Sequence, residues 1–222
     1  MKISQRINIL IIILMVAALV IMLTGFQFMG YEKRLVANSI YAVKFFTVDS
    51  NLLLGLAAII MAKEEKKALQ AGSAVIRPGV VLFKYVAVVS TTLTFFIVAA
   101  VFAPGMPGGY YSLIKNTNLF FHLIIPVLGM VSFIFFEDGR TIRFRDTFLG
   151  LVPMVIYGAC YAANVFVHVS GGQVSRKYDW YGFVSGGIDT AGWAVIAMFI
   201  ITYIICLVLW GANRIVFRRA GR

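Results

Sequence analysis

Five consecutive residues, Thr47-Val48-Asp49-Ser50-Asn51, set a hydroxyl, a carboxylate, a second hydroxyl and an amide at the mouth of an apolar run that continues to Ala62. In hydrocarbon such groups are costly unless they face a bundle interior or a cavity, so they read as functional by default. On a helix Thr47, Ser50 and Asn51 stand at i, i+3 and i+4 and share a face, whereas Asp49 at i+2 points toward the other side. A threonine hydroxyl is a weak nucleophile until a base takes its proton. His122, one of only two histidines, is the residue type suited to that task near neutral pH. Asn51 or Ser50 could steady a developing oxyanion or hold a substrate. Asp189 or His168 could orient His122 as the third member of a triad does, and spacing does not select between them. Each residue also has a plainer use: a threonine bonded to its own backbone, an interfacial histidine, an aspartate capping the last helix.

The elements that must position these groups follow from composition. Of the 222 residues, 61% are apolar, against about 45–50% in soluble domains. Six apolar runs, residues 7–29, 41–62, 80–103, 119–136, 147–169 and 188–212, each approach the roughly 20 residues that a spanning helix needs. The expectation is one all-α domain over 1–222, a polytopic bundle of six transmembrane helices. The first run is too long for a signal-peptide core and no small-x-small cleavage site closes it, so it reads as a retained span. The charged stretch 63–67 reads as a solvated loop.

A net charge of +11 would point to nucleic acid in a soluble chain. Here the basic residues fall mostly between apolar runs, where they set topology and meet anionic lipid, so no nucleic-acid partner is expected. With the amino terminus cytoplasmic, 14 of the 20 basic residues fall in inner segments, among them Lys2, Arg6, Lys84 and the four tail arginines. This asymmetry predicts both termini cytoplasmic, in the cell membrane if the source is bacterial. Thr47, His122, His168 and Asp189 then share the outer leaflet, Thr47 and His122 within roughly 5–10 Å of its edge. Cys160 and Cys206 lie inside apolar runs and read as small buried hydrophobes, not a disulfide or metal pair. No metal and no cofactor is expected; a haem would need paired axial ligands, for which two histidines at one leaflet are a weak basis.

Phe46-Thr47 followed by Ser50-Asn51-Leu52, His122 followed by Ile125-Pro126-Val127-Leu128, and the loop Trp180-Tyr181-Gly182-Phe183 carry a resemblance. In these stretches the chain resembles the androgen-induced protein and androgen-dependent TFPI-regulating protein family, together with its microbial relatives. The resemblance implies six helices and an intramembrane hydrolase of fatty acid esters of hydroxy fatty acids, with Thr47 as nucleophile and His122 as its partner. Around His122 the proline comes one position earlier than in the animal members; around Thr47 the chain is closer to the microbial ones. The expected partners are a lipid ester substrate and membrane lipids. Two other functions compete: a small transporter or lipid-binding protein using the same cluster without catalysis, and a structural subunit with no site.

Overall fold

The computed structural model describes residues 1–30, 36–73, 75–106, 108–170, 173–184 and 188–219, without the side chains of 188–190. In the first helix the buried residues are Ser4, Asn8, Ile11, Met15, Ala18 and Met22, alternately four and three apart. That spacing lays one stripe along a helix of about 3.6 residues per turn. The remaining faces carry Ile9, Ile13, Val16 and Val20, all exposed, as a lipid-facing surface requires. The stripe is polar near the amino terminus and apolar beyond it.

The helices are α1 (Lys2–Thr24), α2 (Phe46–Gln70), α3 (Pro78–Ile97), α4 (Ile125–Phe136), α5 (Val152–His168) and α6 (Ile188–Arg219). A π-helical stretch, Leu119–Ile124, leads into α4, and a 3-10 stretch, Phe144–Leu151, leads into α5. With these extensions, six helices among the described residues are long and apolar enough to cross a membrane. The protein is a multi-pass integral membrane protein. The third helix is the hub: it is buried on most faces from Val80 to Thr94 and packs against α2, α4, α5 and α6. The hydroxyls of Ser90, Thr91, Thr92 and Thr94 bond to carbonyls three or four residues back, which satisfies them without a neighbouring helix.

Several boundaries differ from the sequence expectation. The first helix ends at Thr24 because Gly25 takes φ +68, and a Cβ there would stand 2.8 Å from Asn38 Oδ1. The second starts at Phe46, not at 41, because Ile40–Lys44 coil into a 3-10 turn. It then runs on to Gln70, so residues 63–67 are helical and not a solvated loop. Glu65 keeps the buried register of Asn51, Leu54, Ala58, Met61 and Ala68, which holds the chain in the helix. Thr47 is therefore the second residue of α2, not five or six residues inside a span.

Contacts define two ends of the bundle. At one, Ser39 N–H donates to the Met22 carbonyl at 2.7 Å, Asn116 Nδ2 donates to the Gly30 carbonyl at 2.9 Å, and the start of α2 meets Tyr181. At the other, Ser4, Glu65, Lys84 and Glu137 converge. There Asn213 of α6 donates to the Phe133 and Glu137 carbonyls at 2.6 and 2.7 Å. These are carbonyls that the end of α4 leaves without helical partners.

Candidate functional site

The amino end of α2 has no side-chain cap of its own, Phe45 being its N-cap residue. A distant residue supplies one: the Tyr181 hydroxyl accepts the Phe46 N–H at 3.0 Å. Tyr181 is held in turn by α5, where Tyr157 donates to the Lys44 carbonyl at 2.6 Å and lies 3.4 Å from the Tyr181 hydroxyl. Trp180 Nε1 donates to the Tyr157 hydroxyl at 3.1 Å. Asp179 accepts from the Tyr161 hydroxyl and from the Phe183 and Val184 N–H groups. The segment 173–184 is thereby fastened to α5 and closes over the first turn of α2. Burial pushes the Tyr181 phenol above its ordinary value, and its bonds to Tyr157 and Phe46 only partly oppose that.

Thr47 differs from the other helical threonines whose side chains are described. Thr24, Thr91, Thr92, Thr94, Thr147 and Thr202 each donate to a carbonyl three or four residues back. Thr47, in the first turn, makes no such bond. Its only side-chain contacts of this kind among the described residues go to its carbonyl, which accepts from Ser50 Oγ at 3.0 Å and Asn51 Nδ2 at 2.8 Å. Its N–H has no backbone acceptor among the described residues either, as expected of a first-turn amide.

The second bond of Asn51 fixes what this face meets. In the π-helical stretch the Ile125 N–H reaches back to the Phe120 carbonyl, and Pro126 has no N–H to offer. The Phe121 carbonyl is thus left without a helical donor, and Asn51 Nδ2 supplies one at 3.0 Å. The face of α2 bearing Thr47 and Asn51 consequently lies against the stretch bearing His122, whose side chain is buried. Both N–H groups of Asn51 are committed to carbonyls, and its buried Oδ1 has no partner among the described residues. Asn51 is not placed as the oxyanion donor the sequence suggested, and the Ser50 hydroxyl is committed to the same Thr47 carbonyl. These two residues hold the backbone that presents Thr47.

A cavity of about 510 Å³ opens on the neighbouring face of α2, between Phe46, Asp49, Ser50 and Leu53 and the α5 residues Pro153, Tyr157, Cys160 and Tyr161. Thr47 does not line it. Its walls are largely apolar, while half-buried Asp49 and Lys44 mark its polar end. The Lys44 ammonium stands over the Phe45 and Trp180 rings at 5.2 and 5.5 Å. Cys160 is exposed on this wall, contrary to the expectation that it is buried; Cys206 is buried, and both are free thiols.

His168 is not brought to His122. Its exposed ring bonds to the Asn164 carbonyl at 2.7 Å and stacks on Tyr178 at 3.6 Å, joining α5 to the following loop. Asp189 falls in the first turn of α6, and its side chain lies outside the described residues.

Sequence reasoning missed two groups. The aromatic set Tyr157, Tyr161 and Tyr181 was not linked to Thr47, because nothing local ties residues so far apart in the chain. The buried side chains of Glu65 and Lys84 were read as loop and interface. For Glu65 the three-and-four register from Asn51 was the available signal. Among the described residues no cluster of three or more His, Cys, Asp or Glu side chains could hold a metal ion. Comparison of the chain with protein-family profiles, with curated proteins and with solved structures finds no match.

Proposed function

We propose that the chain is a membrane-embedded hydrolase of lipid esters, with Thr47 as nucleophile and His122 as its base. The observation that carries this reading is the Thr47 hydroxyl, left out of the backbone bonding that occupies the other helical threonines, on a face that Asn51 ties to the His122 stretch. In this reading Thr47 Oγ attacks the ester carbonyl carbon while His122 takes its proton. The carbonyl oxygen becomes an oxyanion facing the Thr47 N–H, at the positive end of α2. The intermediate collapses to acyl-threonine, and the alcohol leaves with the proton from His122. Water, deprotonated by His122, then releases the acid and restores Thr47.

The resemblance to the threonine-hydrolase family supports a fatty acyl ester of a hydroxy fatty acid as the substrate class. The basic-residue asymmetry supports an outer-leaflet site with both termini inside. Purified protein in lipid nanodiscs should hydrolyse such an ester, and Thr47→Ala and His122→Ala should each lower turnover by about a thousand-fold or more. An acyl adduct mapped to Thr47 by mass spectrometry would accompany turnover in the parent protein. Turnover persisting in both variants would reject the assignment.

A second reading, lipid binding or transport without catalysis, is favoured by one observation: the cavity is walled by Phe46, Asp49 and Leu53 and not by Thr47. It is distinguished by saturable binding of the ester with no hydrolysis and no acyl adduct.

A further inference from the structure

At the end of the bundle opposite Thr47, four helices bring six polar side chains into one buried cluster: Ser4 and Asn8 from α1, Glu65 from α2, Lys84 from α3, and Ser132 and Glu137 at the end of α4. Each is at most 3% exposed. Glu137 Oε1 collects the donors, with Ser132 Oγ at 2.6 Å, Asn8 Nδ2 at 3.0 Å and Ser4 Oγ at 3.4 Å. Lys84 Nζ stands 3.7 Å from the same oxygen and donates to Asn8 Oδ1. Those donors mark Glu137 as the ionised carboxylate and Lys84 as its ammonium counter-ion, a pair that is neutral together.

Glu65 is left over. Its bond from Asn8 Nδ2 is long, at 3.4 Å, and the buried Lys84 ammonium is already balanced by Glu137. The groups facing it are Ser4 and Asn8 from α1 and, more distantly, the Met1 amino group just before α1, Lys84 from α3 and Glu137 just after α4. With both carboxyls ionised, Lys84 would be the one cation among the six buried side chains, leaving an excess negative charge opposed only by the more distant Met1 amino group, which is costly in a low dielectric. A second acceptor already waits: Glu137 Oε2 is buried and has no donor among the described residues.

We infer that this cluster is a proton-binding site, with one exchangeable proton carried by Glu65 beside the Lys84–Glu137 pair. The proton exchanges with water at this end of the bundle, where the adjoining Glu64 and Arg77 pair at the exposed surface. The site is separate from the Thr47 region and stands whether or not the chain hydrolyses esters.

The test uses the full-length protein in nanodiscs and dicyclohexylcarbodiimide, an apolar reagent that reacts with protonated carboxyls. The acid gives its proton to a carbodiimide nitrogen, its oxygen adds to the central carbon, and the O-acylisourea rearranges to a stable N-acylurea. Peptide mapping should find one such adduct on Glu65, with labelling that falls about ten-fold per pH unit once the proton is lost. Glu65→Gln, which keeps shape and neutrality, should abolish the adduct and leave the unfolding temperature at neutral pH unchanged. Absence of label on Glu65 across the pH range, or label on Glu137 in its place, would overturn the assignment. Protection by sodium at constant pH would also overturn it, by making the site one for a metal cation.

Discussion

Asn51 shows how one side chain can decide where another stands. Its amide bridges the Thr47 and Phe121 carbonyls, so Asn51→Leu removes a donor from each while also removing an unsatisfied Oδ1. The net loss should be about 1–2 kcal/mol in reversible unfolding. On the proposed hydrolase reading, turnover should fall with it through misplacement of Thr47. Asp138, just after α4, gives a pH signature. Burial alone would lift its carboxyl, but the Arg140 guanidinium and backbone N–H hold it below the ordinary value. A carboxylate lowered in this way contributes stability that is present above about pH 3.9 and lost as pH falls through its folded value. The unfolding temperature of the parent protein should therefore exceed that of Asp138→Asn at neutral pH, and the gap should close on acidification below about pH 4.

At the scale of elements, the π-helical stretch has an identifiable cause. Pro126 cannot donate, the Ile125 bond slips back to Phe120, and the carbonyl so released recruits a side chain from α2. Close packing elsewhere depends on glycine: a Cβ at Gly150 would stand 2.5 Å from Cys206 Sγ and 3.2 Å from Val89 Cγ2. Gly150→Ala should push the 3-10 stretch away from α3 and α6 and cost about 1–3 kcal/mol, read as a lowered unfolding temperature. Six spans were legible because apolar runs of the right length leave few alternatives. Their ends were not, because a helix stops where caps and packing decide: Gly25 against Asn38 closes α1 early, and the buried register of Glu65 carries α2 past Ala62.

Across the whole molecule two polar groupings sit at opposite ends: around Thr47, hydroxyls, the His122 imidazole and an aromatic clamp fastened by buried Asp179, and at the other end the Lys84–Glu137 pair with Glu65. The first set was partly legible, since Thr47, Ser50 and Asn51 share a face by helical spacing alone. Their separate duties were not, because hydrogen bonds to the Phe121 carbonyl and from the Tyr181 loop are set by neighbours remote in sequence. The second set hid behind a sound rule, that lysine and glutamate near the end of a span face water. That rule fails here because Asn8, Ser4 and Ser132 supply the donors that water would have supplied.

The Tyr181 cap has one more consequence, for biogenesis. Phe46 and the residue that completes its turn are 135 positions apart, so α2 leaves the ribosome long before its cap is made. The first turn of α2 cannot take its final form until the fifth helix has inserted and the loop behind it has folded back. A chain interrupted before that loop is made thus carries Thr47 on a helix whose first turn lacks this cap.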